Sequence, residues 1–118
     1  MITHIQNQYG TINISTEVIA TIAGAAAVEC YGLVGMASKS AGSGIVNLLK
    51  REQLSKGIKI TAKDDVLTID LYVIVQFGTK ISVVAENIIK KVKYNVENQT
   101  GLVVEKVNLN IEGVRVQS

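Results

Sequence analysis

Apolar and polar residues alternate in two neighbouring runs, over residues 58–62 and 67–77, with Asp64-Asp65 between them. A period of two residues places every second side chain on one face of a β-strand. A pair of aspartates between two such runs is typical of a tight turn. The pattern predicts a β-hairpin. Its inward-facing residues are predicted to be Ile58, Ile60, Ala62, Leu67, Ile69, Leu71, Val73, Val75 and Phe77.

Two other segments repeat their apolar residues at intervals of three and four, which indicates amphipathic helices. The first is predicted over Val18–Tyr31, with Ser15 or Thr16 as its cap and Gly32 ending it in the left-handed conformation. The second is predicted from about Lys80 to Gln99, ended by Gly101. The predicted inward faces are Ile19, Ile22, Ala23, Ala26, Ala27 and Cys30 in the first helix, and Ile81, Val84, Ala85, Ile88, Val92 and Val96 in the second.

Shorter alternating runs predict one strand before the first helix, at Gly10–Ile14, and another after the second, at Leu102–Ile111. In the last strand, Gly113 is expected to break the alternation. A short helix is also predicted at Ile45–Arg51. The order β-α-(α)-β-β-α-β predicts an α+β fold, a two-layer sandwich with helices on one face of a mostly antiparallel sheet. The ferredoxin-like arrangement has this order of elements. Val103, Val107, Leu109 and Ile111 are predicted to share one face of the last strand.

The length of 118 residues predicts a single domain, residues 1–118, with 1–9 as a lead-in and 113–118 as a tail. Residues 32–57 form a glycine-rich connection that is long for a structureless loop. Its apolar side chains would be wasted in solvent, so they either cover the protein's own core or dock on another chain. The candidate partner-binding residues are Leu33, Val34, Met36, Lys39, Ile45 and Leu48.

Composition narrows the classes of protein that fit. Apolar residues make up 47% of the chain, and tryptophan and proline are absent, so the core must be aliphatic. A net charge of +2 is far from the strongly basic balance of a dedicated nucleic-acid binder. No signal peptide and no apolar run long enough to span a bilayer are recognisable. These features predict a cytoplasmic protein without a membrane span.

Candidate chemistry is sparse. His4 is the sole histidine and lies near a terminus, and Cys30 falls on the apolar face of the first predicted helix. With one residue of each type, a zinc site of the usual ligands is not expected. No nucleophile elbow, phosphate-binding loop with its lysine, or dinucleotide motif is present. We therefore expect a protein that is not an enzyme, with no catalytic residue, cofactor or metal.

Binding alternatives remain. The four residues Gly32-Leu33-Val34-Gly35 match the GxxG loop of KH domains, but no basic residue lies between the glycines to meet a phosphate. Tyr72 would offer a single stacking platform for an RRM-like RNA-binding sheet. A small-molecule or lipid pocket between the alanine-rich helix and the sheet is a third alternative, disfavoured because small residues permit close packing.

Three segments together resemble the bacterial alkaline shock protein family, also called Gls-type general stress or envelope stress response proteins. They are GTINISTEVIATIAGAAAVECYGLVGMAS, GIKITAKDDVLTIDLYVIVQFG and NQTGLVVEKVNLNIEGV, and the resemblance runs from about Gly10 to Val116. Each motif is weak alone, but their order and spacing are specific. The chain resembles a short, compact member of the family.

This resemblance implies a small cytoplasmic protein without catalytic activity, linked to cell-envelope homeostasis or alkaline stress. It implies self-association, and a location near the membrane held by a membrane-anchored protein partner. The family supplies no catalytic motif to transfer. The expectation is therefore an interaction or scaffold protein, a homo-oligomer with a protein partner. The RNA-binding module of KH-like or RRM-like character is the alternative.

Overall fold

The computed structural model describes residues 2–30, 33–36, 57–64 and 66–116. In these residues the predicted α+β class is confirmed, with two helices packed on one sheet. The elements in chain order are β1 (Ile2–Asn7), β2 (Gly10–Ser15), α1 (Thr16–Val28), β3 (Leu33–Met36), β4 (Ile58–Lys63), β5 (Val66–Gln76), α2 (Ile81–Thr100) and β6 (Val103–Arg115).

Strand β5 is the centre of the sheet. Strand β6 pairs with it in parallel from Val66 to Gln76, so β6 occupies one edge over the whole strand. On the other edge, β4 pairs antiparallel with residues 66–71 and β3 pairs antiparallel with residues 73–75. Strands β3 and β4 therefore lie end to end along one edge of β5. Met36 pairs with Val73, and the Gly57 carbonyl accepts a 2.8 Å hydrogen bond from the Tyr72 N–H.

The hydrophobic core lies between the sheet and the two helices. The predicted alternation in β5 is confirmed up to Val75, since the five inward-facing residues from Leu67 to Val75 are fully buried. Removing each such side chain from water is worth roughly 1.5–3 kcal/mol, so β5 is the main source of core burial. The helices contribute Ile19, Ala20, Ala23, Gly24, Ala26 and Ala27 from α1, and Val84, Ile88, Val92, Val96 and Thr100 from α2.

Helix α1 starts at Thr16, directly after a predicted cap and before the predicted Val18, and it ends earlier than Tyr31. The Ser15 hydroxyl accepts a hydrogen bond from the Val18 N–H at 3.3 Å, which confirms Ser15 as the cap. The helix stops at Val28 with Glu29 in the right-handed region, so a left-handed residue at Gly32 is not what ends it. Its buried residues are mostly alanine, and a thin helix approaches the sheet and α2 closely.

Helix α2 ends in a corner fixed by hydrogen bonds. Gly101 has φ of 79° and donates its N–H to the Glu97 carbonyl, which confirms it as the left-handed terminator. The buried Thr100 hydroxyl donates to the Val96 carbonyl at 2.6 Å and accepts from the Leu102 N–H at 3.1 Å. A Glu97 carboxylate oxygen accepts from the Val104 N–H at 2.9 Å. These bonds direct the chain from the helix into β6.

The N-terminal part departs from the prediction. Residues 1–9, predicted as a lead-in, contain β1, which pairs with β2 over six residue pairs as a separate hairpin. Strand β2 therefore satisfies its hydrogen bonds with β1 and does not enter the main sheet. As a result β6 lies directly beside β5, whereas a ferredoxin-like arrangement would place another strand between them. Ile5 anchors the hairpin, since it packs against the core.

Two bulges interrupt β6; the first accounts for a wrong prediction, and the second confirms that Gly113 breaks the alternation. The register against β5 shifts between Val104 and Lys106, and again between Ile111 and Gly113. The first shift turns Val104 inward and leaves Val103 56% exposed, so the predicted inward orientation of Val103 is wrong. Gly113 does not end the strand, because Val114 and Arg115 pair with Val75 and Gln76. The segment predicted as a tail is thus partly strand.

The 32–57 connection includes a strand that the sequence pattern did not predict, β3. A four-residue strand containing Gly35 is too short to show a period of two residues. The predicted helix at Ile45–Arg51 lies outside the described residues.

We expect Gly101→Ala to lower the free energy of unfolding by about 1 kcal/mol, because a Cβ disfavours the left-handed backbone. The added methyl would lie 3.6 Å from Ile5 Cδ1, an ordinary contact, so sterics contribute little. Gly101→Asn is the control and should lose less free energy of unfolding than Gly101→Ala, since asparagine tolerates this conformation. Urea denaturation measures both. Equal losses for the two variants would contradict the conformational explanation.

Candidate interaction surfaces

An exposed apolar patch lies where β5 and β6 end and α2 begins. We call Phe77, Ile81, Val114 and Val116 the Phe77 patch. The strands are parallel, so both finish at the same end of the sheet, and the Phe77 N–H donates to the Arg115 carbonyl at 2.9 Å. Phe77 is 65% exposed and Ile81 44% exposed, so their predicted inward orientation is wrong. The chain turns away after Gln76 before the alternation could bury Phe77.

The turn after β5 holds Phe77 in this position. The Thr79 hydroxyl donates to the Gln76 carbonyl at 2.7 Å, and the Thr79 N–H donates to the same oxygen at 3.4 Å. Gly78, between them, has φ of 92°, a conformation that favours glycine. The backbone beside the ring is thus fixed by a closed turn, so little backbone entropy is lost when a partner covers it.

The candidate residues from the sequence fall into two groups. Leu33, Val34 and Met36 lie on β3, paired with β5, so they belong to a strand of the sheet. Leu33 pairs with Val75, which places the start of β3 at the same end of the sheet as the Phe77 patch. Lys39, Ile45 and Leu48 lie outside the described residues.

The face of the sheet opposite the helices is polar over the first part of β5, and the buried Ile74 lies on it further along. Across it, the Asn108 side-chain amide donates to the Asp70 carboxylate at 2.9 Å, and the Asn110 amide donates to the Leu71 carbonyl at 3.2 Å. Among the described residues of this face, Tyr72 is the one aromatic, so an RRM-like row of stacking rings is missing there. The GxxG interpretation is wrong for Leu33–Gly35, because these residues pair with β5 as a strand.

A shallow groove of about 210 Å³ lies between α1 and β4. It is lined by Thr16, Glu17 and Ala20 from the helix and by Ile58 and Ile60 from the strand. Ile58 and Ile60 are only half-buried, although they face the same way as the fully buried residues of β5. The groove is open to solvent.

Cys30 sits next to an ion pair between the helices. The Lys91 ammonium lies 2.8 Å from the Glu29 carboxylate, and the Cys30 thiol contacts the Ala26 carbonyl at 3.6 Å. Partial burial raises the pKa of the Cys30 thiol, while the Lys91 charge lowers it and the Glu29 charge raises it. The hydrogen bond and charge of Glu29 raise the pKa of Lys91. Cys30 is half-buried and packs against the core, in agreement with the prediction from its helix face.

No group of three or more His, Cys, Asp or Glu side chains in the described part of the chain is placed to hold a metal ion. Within the same residues, no helix is long and apolar enough to cross a membrane.

The model of the alkaline shock protein 23 family, described as having a cell envelope-related function, matches residues 4–116. This chain belongs to the alkaline shock protein 23 family. The resemblance drawn from the three sequence segments is thereby confirmed, and the match covers every described element except the first residues of β1. No solved structure matches the chain.

Three relatives from Bacillus subtilis and Streptococcus pyogenes align with this alkaline shock family member over almost all of its length. It is 49% identical to uncharacterized protein YloU of B. subtilis over 113 residues, 95% of this chain and 94% of YloU. It is 39% identical to uncharacterized protein Spy1614 of S. pyogenes over 117 residues, 98% and 97% of the two chains. It is 34% identical to uncharacterized protein YqhY of B. subtilis over 112 residues, 95% and 82%.

The Glu97 carboxylate accepts a hydrogen bond from the backbone of β6. We expect Glu97→Ala to lower the free energy of unfolding by about 1 kcal/mol, because the N–H of the buried Val104 loses its acceptor. Glu86→Ala is the control. It removes an exposed pair with Lys90 and should leave stability unchanged within error. Urea denaturation of both tests this, and equal effects would contradict a specific role for Glu97.

The ion pair beside Cys30 predicts two opposite changes in thiol reactivity. Lys91→Met removes a charge that lowers the thiol pKa, so alkylation by iodoacetamide in mildly alkaline buffer should slow. Glu29→Gln removes a charge that raises the pKa, so alkylation should quicken. Rates measured under native conditions, with pH profiles, distinguish the two. Changes of the same sign in both variants would point to altered exposure instead of charge.

Proposed function

We propose that this alkaline shock family chain is a non-catalytic interaction protein of the cell envelope. It acts in the cytoplasm, by self-association and by binding a membrane-linked protein partner, as a scaffold in envelope homeostasis. The family's cell envelope-related function supports the envelope setting. The observation that carries the interaction role is the Phe77 patch.

The Phe77 patch has the properties of a protein-binding centre. It joins an exposed aromatic ring to exposed aliphatic residues on two chain segments, and aromatic anchors contribute much of the binding energy in protein interfaces. Exposure of the chain's sole phenylalanine also has a cost in solubility, which a bound partner would offset.

The test is crosslinking capture of the tagged full chain in its native cell, with membrane and soluble fractions separated. We expect Phe77→Ser to reduce capture of the membrane-linked partner at least about ten-fold, because the anchor is lost. Tyr94→Ser is the matched control, since Tyr94 is a similarly exposed aromatic residue (67%) on α2. Thermal unfolding of both variants checks that the fold is intact.

Light scattering of the purified chain, wild type and Phe77→Ser, measures self-association. Equal capture by wild type and Phe77→Ser would show that the patch is not the binding centre. A monomer at every concentration together with no captured partner would contradict the scaffold role. Recovery of RNA in place of protein, lost at moderate salt, would move the nucleic-acid alternative to first place.

A further inference from the structure

The second surface is the outer edge of β4, and the pairing of β4 with β5 defines what this edge presents. The Tyr72 N–H donates to the Gly57 carbonyl, so Gly57 and Tyr72 form a hydrogen-bonded pair. In an antiparallel ladder hydrogen-bonded pairs alternate with non-hydrogen-bonded pairs. Lys59, Thr61 and Lys63 thus bond to β5. The intervening residues Ile58, Ile60 and Ala62 direct both their N–H and C=O groups away from it.

Within the described part of the chain, β5 is the only strand that pairs with β4. The three residues with outward backbone groups are also those whose side chains face the helices. Ile58 and Ile60 line the groove against α1, and both are half-buried. Among the described residues, the outer edge of β4 has no strand partner and lies beside a groove that is open to solvent. An extended peptide can add to such an edge as a further strand. Backbone hydrogen bonds would supply affinity, and the groove would select every second side chain of the peptide.

The charges along β4 decide which occupant fits. Lys59 and Lys63 are exposed on the opposite side of the strand from the groove. Lys59 is in register with Asp70, but the Asp70 carboxylate accepts from Asn108, and neither lysine forms an ion pair with another described residue. Lysines on an edge strand oppose pairing with a second copy of the same strand, because like charges would meet. They favour a strand that carries acidic residues at those positions.

We infer that the outer edge of β4, with the α1–β4 groove, binds an extended segment of a partner protein in which apolar and acidic residues alternate. The apolar residues enter the groove beside Ile58 and Ile60, and the acidic residues pair with Lys59 and Lys63. This rests on the proposed interaction function and adds a second site to it. The site is at the first half of β5, while the Phe77 patch is at its end.

The test uses labelled synthetic octapeptides of alternating valine and glutamate or alternating valine and lysine, both acetylated and amidated. Fluorescence anisotropy at low salt should show the Val–Glu peptide binding the full chain at least about ten-fold more tightly than the Val–Lys peptide. Lys59→Glu combined with Lys63→Glu should reverse the preference. Equal binding of the two peptides to the wild-type chain would overturn the inference, because the charge argument selects the occupant.

A second variant tests the backbone contact. Ile60→Pro removes the outward N–H but no bond to β5, and proline is tolerated at such edge positions. We expect it to bind the Val–Glu peptide at least about ten-fold more weakly, while Ile60→Val, which keeps the N–H, binds as the wild type does. Circular dichroism confirms that both variants are folded. Unchanged binding by a folded Ile60→Pro chain would contradict strand addition.

Amide hydrogen exchange distinguishes the other occupants of the edge. In the dilute free chain the amides of Ile58, Ile60 and Ala62 should exchange fast, while those of Lys59, Thr61 and Lys63 are protected. The Val–Glu peptide should slow the exchange of the amides of Ile58, Ile60 and Ala62. Protection already present in the dilute chain would assign the edge to the chain's own segment 37–56. Protection that grows with protein concentration alone would assign it to a second copy, and either result overturns the inference.

The two proposals fail separately. Loss of partner capture in Phe77→Ser with no response of the β4 amides to peptide would leave the proposed function standing without this site. Peptide binding at β4 in a chain that captures no envelope partner would leave the β4 site standing without the proposed function.

Discussion

The structure depends on the hydrogen bonding of β5 along both of its edges while one of its faces is sealed by helices. Five fully buried side chains alternate along that face, and the strand is bonded to β6 on one side and to β4 and β3 on the other. A strand in this position has no free edge and cannot slip, since a shift of one residue would expose every inward side chain. The remaining elements are positioned by their contacts with it.

The helices meet this strand in different ways. Helix α1 is short and lined with alanine, so it lies close to the sheet but fills little volume beside β4. Helix α2 is longer, and it packs against α1 and β6 with its valines and isoleucine in the core. Its end is bound to β6 through Glu97, and the hydrogen bonds of Thr100 and Gly101 fix the turn between them, so helix and strand meet at a single corner. The NQTGLVV segment, one of the three on which the family resemblance rests, forms this corner. It contains the helix terminator Gly101, the buried Thr100 hydroxyl and the start of β6.

Sequence patterns identified the elements whose periodicity is long and uninterrupted, namely the β4–β5 hairpin and α2, together with the Ser15 cap and the Gly101 terminator. They failed where a tertiary contact overrides a local pattern. Val103 follows the alternation of Leu102–Ile111, but a bulge, which alternation alone does not reveal, turns Val104 inward instead. Phe77 continues the alternation of β5, but the strand ends one residue before it. β3 is only four residues long and β1 lacks a clear apolar alternation, so neither has a local signal. Of the candidate site residues, only those on β3 can be placed.

The two proposed surfaces share one origin, a mismatch in length between the central strands and the elements that cover them. Strands β5 and β6 have 11 and 13 residues, whereas β4 has six and α1 has 13 residues at a rise of about 1.5 Å each. At the far end, β5 and β6 extend to where α2 is only beginning, so no described element covers Phe77 and Val116 there. On the β4 side, the small residues of α1 leave the α1–β4 groove open to solvent. The outward backbone groups of Ile58 and Ile60 lie beside this groove. In the proposed function both features serve binding: the aromatic anchor would provide affinity at one site, and the edge lysines would provide selectivity at the other.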